Sequence, residues 1–213
     1  DNNTSTDGAT GANSVAIGKQ NKSTGSYGLT VGGQNNVSSG FYSGCFNTSS
    51  GTASQIYSTV INGYGTTADV GGKIAFGTQF ASGWTRNPQT GLMTLFAATT
   101  DATATELLAQ NTRVSLPNNS AYAFHGTVVA REQAADGTDC AAWKVEGLIR
   151  REGSASTAVL VNSATTVIDN RPSWGLALSA DTTNGALKVT ATGAAATNIR
   201  WVATIHTSEV TYA

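Results

Sequence analysis

The 213-residue sequence is poor in charge: twelve Lys and Arg against thirteen Asp and Glu leave a net charge of -1. Charged residues make up 12% of the chain, about half the share of an ordinary globular protein. A basic groove for nucleic acid needs a surplus of Lys and Arg that is not there. No run of eighteen apolar residues occurs, so no helix-forming segment is long and apolar enough for membrane insertion. The chain opens on a polar Asn, Thr and Ser stretch, unlike a secretory signal. Only two cysteines are present, Cys45 and Cys140, far apart and without a Cys-x-x-Cys or a nearby His. That excludes a disulfide framework and a zinc site, and predicts two unpaired thiols with no metal or other cofactor. No Gly-x-Ser-x-Gly elbow exists to hold a hydrolase nucleophile, so no catalytic residue is assigned.

What the sequence has in abundance is repetition. Ala16-Ile17-Gly18-Lys19-Gln20-Asn21 is echoed fourteen residues later by Thr30-Val31-Gly32-Gly33-Gln34-Asn35. Weaker copies follow at Gly44-Cys45-Phe46-Asn47, Thr59-Val60-Ile61-Asn62-Gly63 and Ala75-Phe76-Gly77-Thr78-Gln79, each fourteen to sixteen residues after the last. A short fixed period predicts a solenoid of strand, turn, strand and turn. One unit buries two or three side chains, too few to offset a backbone ordering cost of roughly 1–2 kcal/mol per residue. Stacking coil on coil, and burial against identical chains, must supply the rest. The missing initial Met and the direct entry into repeats are what a fragment from the C-terminal end of a longer polypeptide would present.

The Ser14-Val15-Ala16-Ile17-Gly18 step with its Asn, Ser and Gly connectors resembles the head repeat of YadA-type trimeric autotransporter adhesins. That resemblance covers about a third of the chain. It implies a parallel β-roll, three copies of which pack into a homotrimer.

Residues 81 to 91 break the period with Trp84, Pro88 and Gly91. The expected organisation is therefore a β-roll shaft over residues 1–85, a linker over 86–91 and an antiparallel β-sandwich knob over 92–213. The fold class is all-β, assembled as an intertwined or side-by-side homotrimer. In the second half, period-two alternation marks strands over Leu92–Thr99, Arg113–Leu116, Ala121–Arg131, Ala141–Arg151, Ala158–Asn162, Thr165–Ile168, Gly175–Ser179, Ala186–Thr192 and Asn198–Thr207. Eight or nine strands in about 120 residues favour a sandwich. Asn184-Gly185 predicts the tightest hairpin, between Gly175–Ser179 and Ala186–Thr192. A helical turn is expected only around Ala104–Gln110.

Several segments of this second half, among them Ser120-Ala121-Tyr122-Ala123-Phe124, Ala142-Trp143-Lys144-Val145-Glu146-Gly147, Trp174-Gly175-Leu176-Ala177-Leu178-Ser179 and Asn198-Ile199-Arg200-Trp201-Val202-Ala203, resemble the C-terminal receptor-binding tip of bacteriophage tail fibres, notably of marine and cyanobacterial phages. That resemblance implies a virion tail-fibre location and non-catalytic attachment to a host-surface glycan or outer-membrane protein receptor. It also implies that the rest of the fibre lies on the N-terminal side. A thin repetitive shaft followed by a knob fits that order, whereas an adhesin head leads and its stalk and anchor follow. A fragment of such an adhesin is the alternative, and a polysaccharide-degrading tailspike the third reading.

The residues that could carry function sit in the expected loops Pro117–Ser120, Ala134–Asp139, Asp169–Ser173 and Asp181–Gly185. The receptor-binding set is Asn118, Asn119, Tyr122, Arg171, Trp174, Asp181 and Asn184. Arg171 offers a planar guanidinium for carboxylates, phosphates or sugar hydroxyls. Trp174, at a loop-to-strand junction, is open to either a surface contact or packing, while Trp143 and Trp201 share the parity of apolar neighbours and read as core. Glu132, Asp136, Asp139, Glu146 and Glu152 would supply a glycosidase pair. They alternate with Arg131, Lys144, Arg150 and Arg151, however, which reads as cross-strand ion pairing. His125 and His206, at out-facing or subunit-facing strand positions, read as ordinary strand histidines or trimer-contact residues. Tyr27, Tyr42, Tyr57 and Tyr64 are either packing residues at coil corners or a sugar-stacking ladder.

Overall fold

The computed structural model describes residues 7–78, 88–133, 139–171 and 173–212. It divides into two compact units, one from the described residues within 1–93 and 208–213, the other from Thr94 to Thr207.

The first unit is an all-β solenoid. Its strands are β1 (Gly8–Ala9), β2 (Val15–Lys19), β3 (Lys22–Ser23), β4 (Leu29–Gln34), β5 (Val37–Ser38), β6 (Gly44–Phe46), β7 (Thr52–Ala53), β8 (Thr59–Ile61), β9 (Thr67–Ala68) and β10 (Ile74–Gly77). Odd-numbered strands β1 to β9 form one parallel sheet, and β2, β4, β6, β8 and β10 the other. The pairings β2–β4 and β1–β3 step by fourteen residues, as in Val15 with Leu29 and Gly8 with Lys22. Later pairings step by fifteen, as in Leu29 with Gly44 and Thr59 with Ile74. The extra residue enters at a register shift after Ile17, where Gly32 and Gly33 adopt φ of 76° and 67°. A Cβ on Gly33 would sit 1.7 Å from the Thr48 carbonyl oxygen, so this bulge requires glycine.

Two columns of left-handed residues mark coil corners, and a third runs through Gly32, Asn47 and Asn62, which explains the polar connectors. One corner column runs Gln20, Asn35, Ser50 and Gly65; the other runs Asn13, Tyr27, Tyr42, Tyr57 and Gly72. Asn and Gly tolerate this conformation; tyrosine does so at a cost that the stack described below offsets. Inside, the composition changes along the axis. In the early coils Ser23 and Ser38 hydroxyls lie 3.0 Å apart and Thr30 lies 2.8 Å from Ser38. In the later coils the same columns carry Cys45, Ala53, Val60, Ala68 and Ala75, all fully buried and apolar. Buried Asn21 and Asn36 form a ladder: the Asn36 amide groups donate to Asn21 Oδ1 and to the Thr48 carbonyl, and Asn36 Oδ1 accepts from the Gly51 N–H at 2.8 Å. Their side chains thus satisfy backbone groups of the next coil that would otherwise be orphaned inside.

The last coil is closed by a polar cluster. Lys73 stands where Ser14, Ser43 and Ser58 stand in earlier coils, and is fully buried. Its Nζ lies 2.8 and 2.9 Å from the two carboxylate oxygens of Glu209, and 3.5 Å from Asp69. Gln89 Nε2 donates to Glu209 and, at 2.9 Å, to the Thr67 carbonyl, while its Oε1 accepts from the Thr67 N–H. The Gln89 amide therefore pairs with β9 as a further parallel strand would, and removes an open sheet edge. β11 (Gln89–Thr99) pairs antiparallel with β10, Ile74 opposite Leu92. Gln89–Gly91 are thus strand residues rather than linker; residues 86 and 87 lie outside the described residues, as does Trp84.

The second unit contains β12 (Ala104–Glu106), β13 (Val114–Ser115), β14 (Ser120–Glu132), β15 (Cys140–Arg151), β16 (Val159–Asp169), β17 (Gly175–Asp181), β18 (Ala186–Thr192) and most of β19 (Ile199–Thr211). One sheet runs in the order β16, β15, β14, β19, β11; in a smaller sheet β18 pairs with β12, β13 and β17. Strict alternation on β14 and β19 buries Tyr122, Phe124, Val128, Trp201, Ala203 and Ile205 and turns their neighbours outward. Trp201 stacks on Trp143 at 5.6 Å and donates its indole N–H to Thr99 Oγ1 at 3.0 Å. The β17–β18 hairpin forms as expected, with Gly185 at φ 66°.

Two expectations change. The Ala104–Gln110 segment is β12 followed by a tight turn, not a helical turn. Thr103–Thr105 are β-prone, the Leu107 N–H goes to the Val189 carbonyl, and Gln110 and Asn111 turn at φ 50° and 64°. The expected strands Ala158–Asn162 and Thr165–Ile168 are one strand, β16, because β15 pairs through Ser163 and Ala164 and β16 takes up the irregularity opposite Leu148/Ile149 as a bulge at Val161.

Glu209→Gln leaves Lys73 buried without a full countercharge, a change that costs about 3 kcal/mol. Urea unfolding of Glu209→Gln should show that loss, and the paired change Lys73→Met with Glu209→Leu should recover most of it. A loss under about 1 kcal/mol for the single change would show that the cap does not hold the solenoid.

Candidate functional site

The seven residues assigned from the sequence fall in two separate groups, with Tyr122 in neither. Asn119 turns at φ 57° and its N–H meets the Glu152 carbonyl, while the Leu116 N–H meets the Gly185 carbonyl and Arg151 reaches the Leu116 carbonyl at 2.6 Å. These contacts gather Asn118, Asn119, Asp181 and Asn184 at one end of the second unit. Arg171 and Trp174 lie at the other end, where Arg171 pairs with Asp139 at 2.8 Å. Trp174 is 7% exposed and packs against Trp201 at 5.9 Å, so its role is packing; Tyr122 is buried as well and offers no surface. Residues 134–138 and Pro172, parts of two expected loops, lie outside the described residues.

Asp181 organises its own turn. Its carboxylate accepts from the Thr183 and Asn184 N–H groups and the Asn184 side chain, and lies 3.3 Å from Arg113 Nε. Burial alone would raise its pKa; the Asn184 and Thr183 donors and then the Arg113 charge outweigh that and hold it below the ordinary carboxylate value. Asp101, fully exposed, is lowered by the Thr103 N–H.

Of the acidic residues named for a glycosidase pair, Asp139, Glu146 and Glu152 are held by bases, and Asp136 lies outside the described residues. Glu146 pairs with Lys144, Glu152 with Arg150, Asp139 with Arg171, and Glu106 and Asp181 share Arg113. Among the described residues no group of three or more His, Cys, Asp and Glu is placed to hold a metal ion. His125 and His206 face outward on neighbouring strands with their rings stacked at 5.1 Å. Both cysteines are free, Cys140 exposed and Cys45 buried, where desolvation pushes the thiol up to about 12.

On the solenoid, Tyr27, Tyr42 and Tyr57 stack ring on ring at 4.7 and 5.5 Å, and Phe41 meets Tyr27 and Tyr42 edge-on. The inner ring faces are spent on each other, so the ladder acts as packing between coil corners rather than as a row of open sugar platforms. Tyr64 stands apart from it, bridging to Ser49.

The sequence reading missed a second feature of the solenoid. Pairing places Ile17, Val31, Phe46, Ile61 and Phe76 side by side on the outward face of β2, β4, β6, β8 and β10. Ile17 is 57% exposed, Phe76 is exposed and the others are half-buried. The signal was present: an apolar residue recurs at this position in every copy of the repeat. Among the described residues no helix is long and apolar enough to cross a membrane.

No protein-family model matches the chain, and no curated protein matches it. Solved structures similar to it include the tailspike protein gp49 from Acinetobacter baumannii bacteriophage Fri1, a capsular polysaccharide depolymerase, at 10% identity and a TM-score of 0.31, covering 91% of this chain and 44% of that one. The Acinetobacter baumannii phage AM24 tailspike gives 10% identity and 0.31, covering 93% and 48%. The Acinetobacter phage vB_ApiP_P1 tailspike gives 10% and 0.24, covering 91% and 46%. The chain spans less than half the length of each.

Because Asp181 is held below its unfolded value of about 3.9, its contribution is present above that pH and is lost as pH falls through the folded value. Asp181→Ala should therefore lower the urea midpoint at pH 7, and the gap to the unmodified chain should narrow below about pH 4. A gap independent of pH would rule out the carboxylate as its source.

Proposed function

We propose that this chain is the distal part of a phage tail fibre: a homotrimer whose solenoid forms a shaft and whose second unit forms a β-sandwich knob that attaches to a host-surface glycan or protein without cleaving it. The observation that carries the reading is the outward apolar column Ile17, Val31, Phe46, Ile61 and Phe76. A continuous apolar stripe along a thin solenoid is unfavourable in water, and packing three copies around it removes it from solvent. The Phe46 ring, lying over Gly44, is the midpoint of that stripe.

The non-catalytic reading is supported by the ion pairing of the carboxylates. A glycosidase needs one carboxyl kept protonated near neutral pH and another free to act beside it. Here Glu146, Glu152, Glu106 and Asp139 are each engaged in an ion pair, with Lys144, Arg150, Arg113 and Arg171 respectively. Three weak sites on one trimer gain roughly 100-fold or more in avidity, so each can bind modestly. The candidate contact surface is the end of the second unit that gathers Asn118, Asn119, Asp181 and Asn184.

Phe46→Glu places a charge in the middle of the stripe. Light scattering should give three chain masses for the unmodified protein and one for Phe46→Glu. Immobilised bacterial surface polysaccharides should retain the trimer, retain the monomer at least tenfold less, and release no reducing ends. A monomeric unmodified chain would overturn the assembly; release of reducing ends would overturn the non-catalytic reading.

A further inference from the structure

Strand β16 (Val159–Asp169) is unlike every other long strand of the second unit. β14, β15 and β19 alternate between buried and outward residues, but on β16 ten of eleven residues are exposed, on both faces. Among the described residues it hydrogen-bonds only to β15, at the end of its sheet, so its other edge is open. Its sequence, Val-Leu-Val-Asn-Ser-Ala-Thr-Thr-Val-Ile-Asp, has no charge before Asp169 and neither Pro nor Gly. Val161, Val167 and Ile168 are 48%, 52% and 63% exposed. Edge strands facing water are ordinarily short, kinked, or guarded by Lys or Pro. This one is long and carries neither Lys nor Pro; its irregularities are bulges at Val161 and Ile168, both of which remain exposed.

We infer that β16 is an intersubunit strand, laid between its own β15 and a second copy of this chain. Three features select another copy as the occupant. An open edge needs backbone donors and acceptors in strand geometry, which an all-β chain can supply. The surface is also self-complementary. Beside the strand, Glu146, Gly147, Leu148, Asn162, Ser163 and Ala164 line a shallow recess of about 350 Å³. The protruding Val161, Val167 and Ile168 are β-branched side chains of a size to fill such a recess, and a knob from one copy entering the recess of the next is the head-to-tail contact that closes a ring. The extent is sufficient as well: eleven residues offering on the order of 60 Å² each give ~700 Å² per partner, close to the ~800 Å² of a stable interface. The face carries little charge to desolvate, since Lys144 and Glu146 already pair with each other.

This inference rests on the homotrimer reading and goes beyond it, because it assigns a contact in the second unit separate from the solenoid stripe. The test uses the full chain with Val161→Asp and Val167→Asp together. Both positions are exposed, so the change leaves the fold of the monomer intact, as a circular dichroism melt verifies. A dilution series followed by light scattering should show dissociation at protein concentrations at least 100-fold higher than for the unmodified chain. Amide exchange on the unmodified chain should show slow exchange across Val159–Ile168 at concentrations where it is assembled, and fast exchange on dilution. An assembled chain whose β16 amides exchange fast, or a double variant that dissociates at the same concentration as the unmodified chain, would overturn the intersubunit strand and leave the solenoid assembly standing. A chain that stays monomeric at every concentration would overturn both.

Discussion

The solenoid depends on how its last coil is closed. Parallel coils can add indefinitely, and each added coil leaves its successor's backbone groups exposed. The chain ends this series with side chains: Gln89 presents an amide to Thr67 as a strand would, and Glu209 locks Gln89 and Lys73 together. Glu209 lies far along the sequence, and the chain returns to the first unit only at residue 208. The cap is therefore made by two segments separated by the whole second unit.

A gradient follows from the same arrangement. Coils near the cap hold Val60, Ala68 and Ala75 in a dry column, whereas the early coils hold Ser23, Thr30 and Ser38 joined by hydroxyl contacts. Buried hydroxyls must keep their partners to avoid a desolvation penalty of about 1–3 kcal/mol each, and they contribute little net when satisfied. Apolar columns contribute by burial itself. The coils nearest the cap are thus the strongest of the series. The outward faces of both units are where apolar residues remain uncovered, in the solenoid stripe and on β16.

Much of this architecture was legible in the sequence, because the repeat exposes its own period and because long antiparallel strands announce themselves by alternation. The copies at Ala16 and Thr30 gave the step of fourteen directly; the shift to fifteen was hidden by Gly32-Gly33, which looks like a variant of the repeat rather than an insertion. The hairpin at Asn184-Gly185 was readable from turn chemistry alone. The site was less legible. Trp174 follows a polar loop, which suggested exposure, yet its partner Trp201 is distant in sequence and takes it inside. Lys73 looks like a surface charge until it is placed in the column of Ser14, Ser43 and Ser58, and its partner Glu209 is set by the return of the chain. Long-range closure of this kind leaves no local signature. Strand β16 reads as two strands because the small polar residues Ser163 and Ala164 interrupt its pattern, and only pairing with β15 carries it through them.

The most direct measurement is native-state amide hydrogen exchange along the solenoid of the unmodified chain. The account predicts slowest exchange in β8 and β10, beside the cap, and at least tenfold faster exchange in β2 and β4, with protection falling coil by coil away from Lys73 and Glu209. Uniform protection across the coils, or protection greatest at β2, would contradict a solenoid held from its capped end.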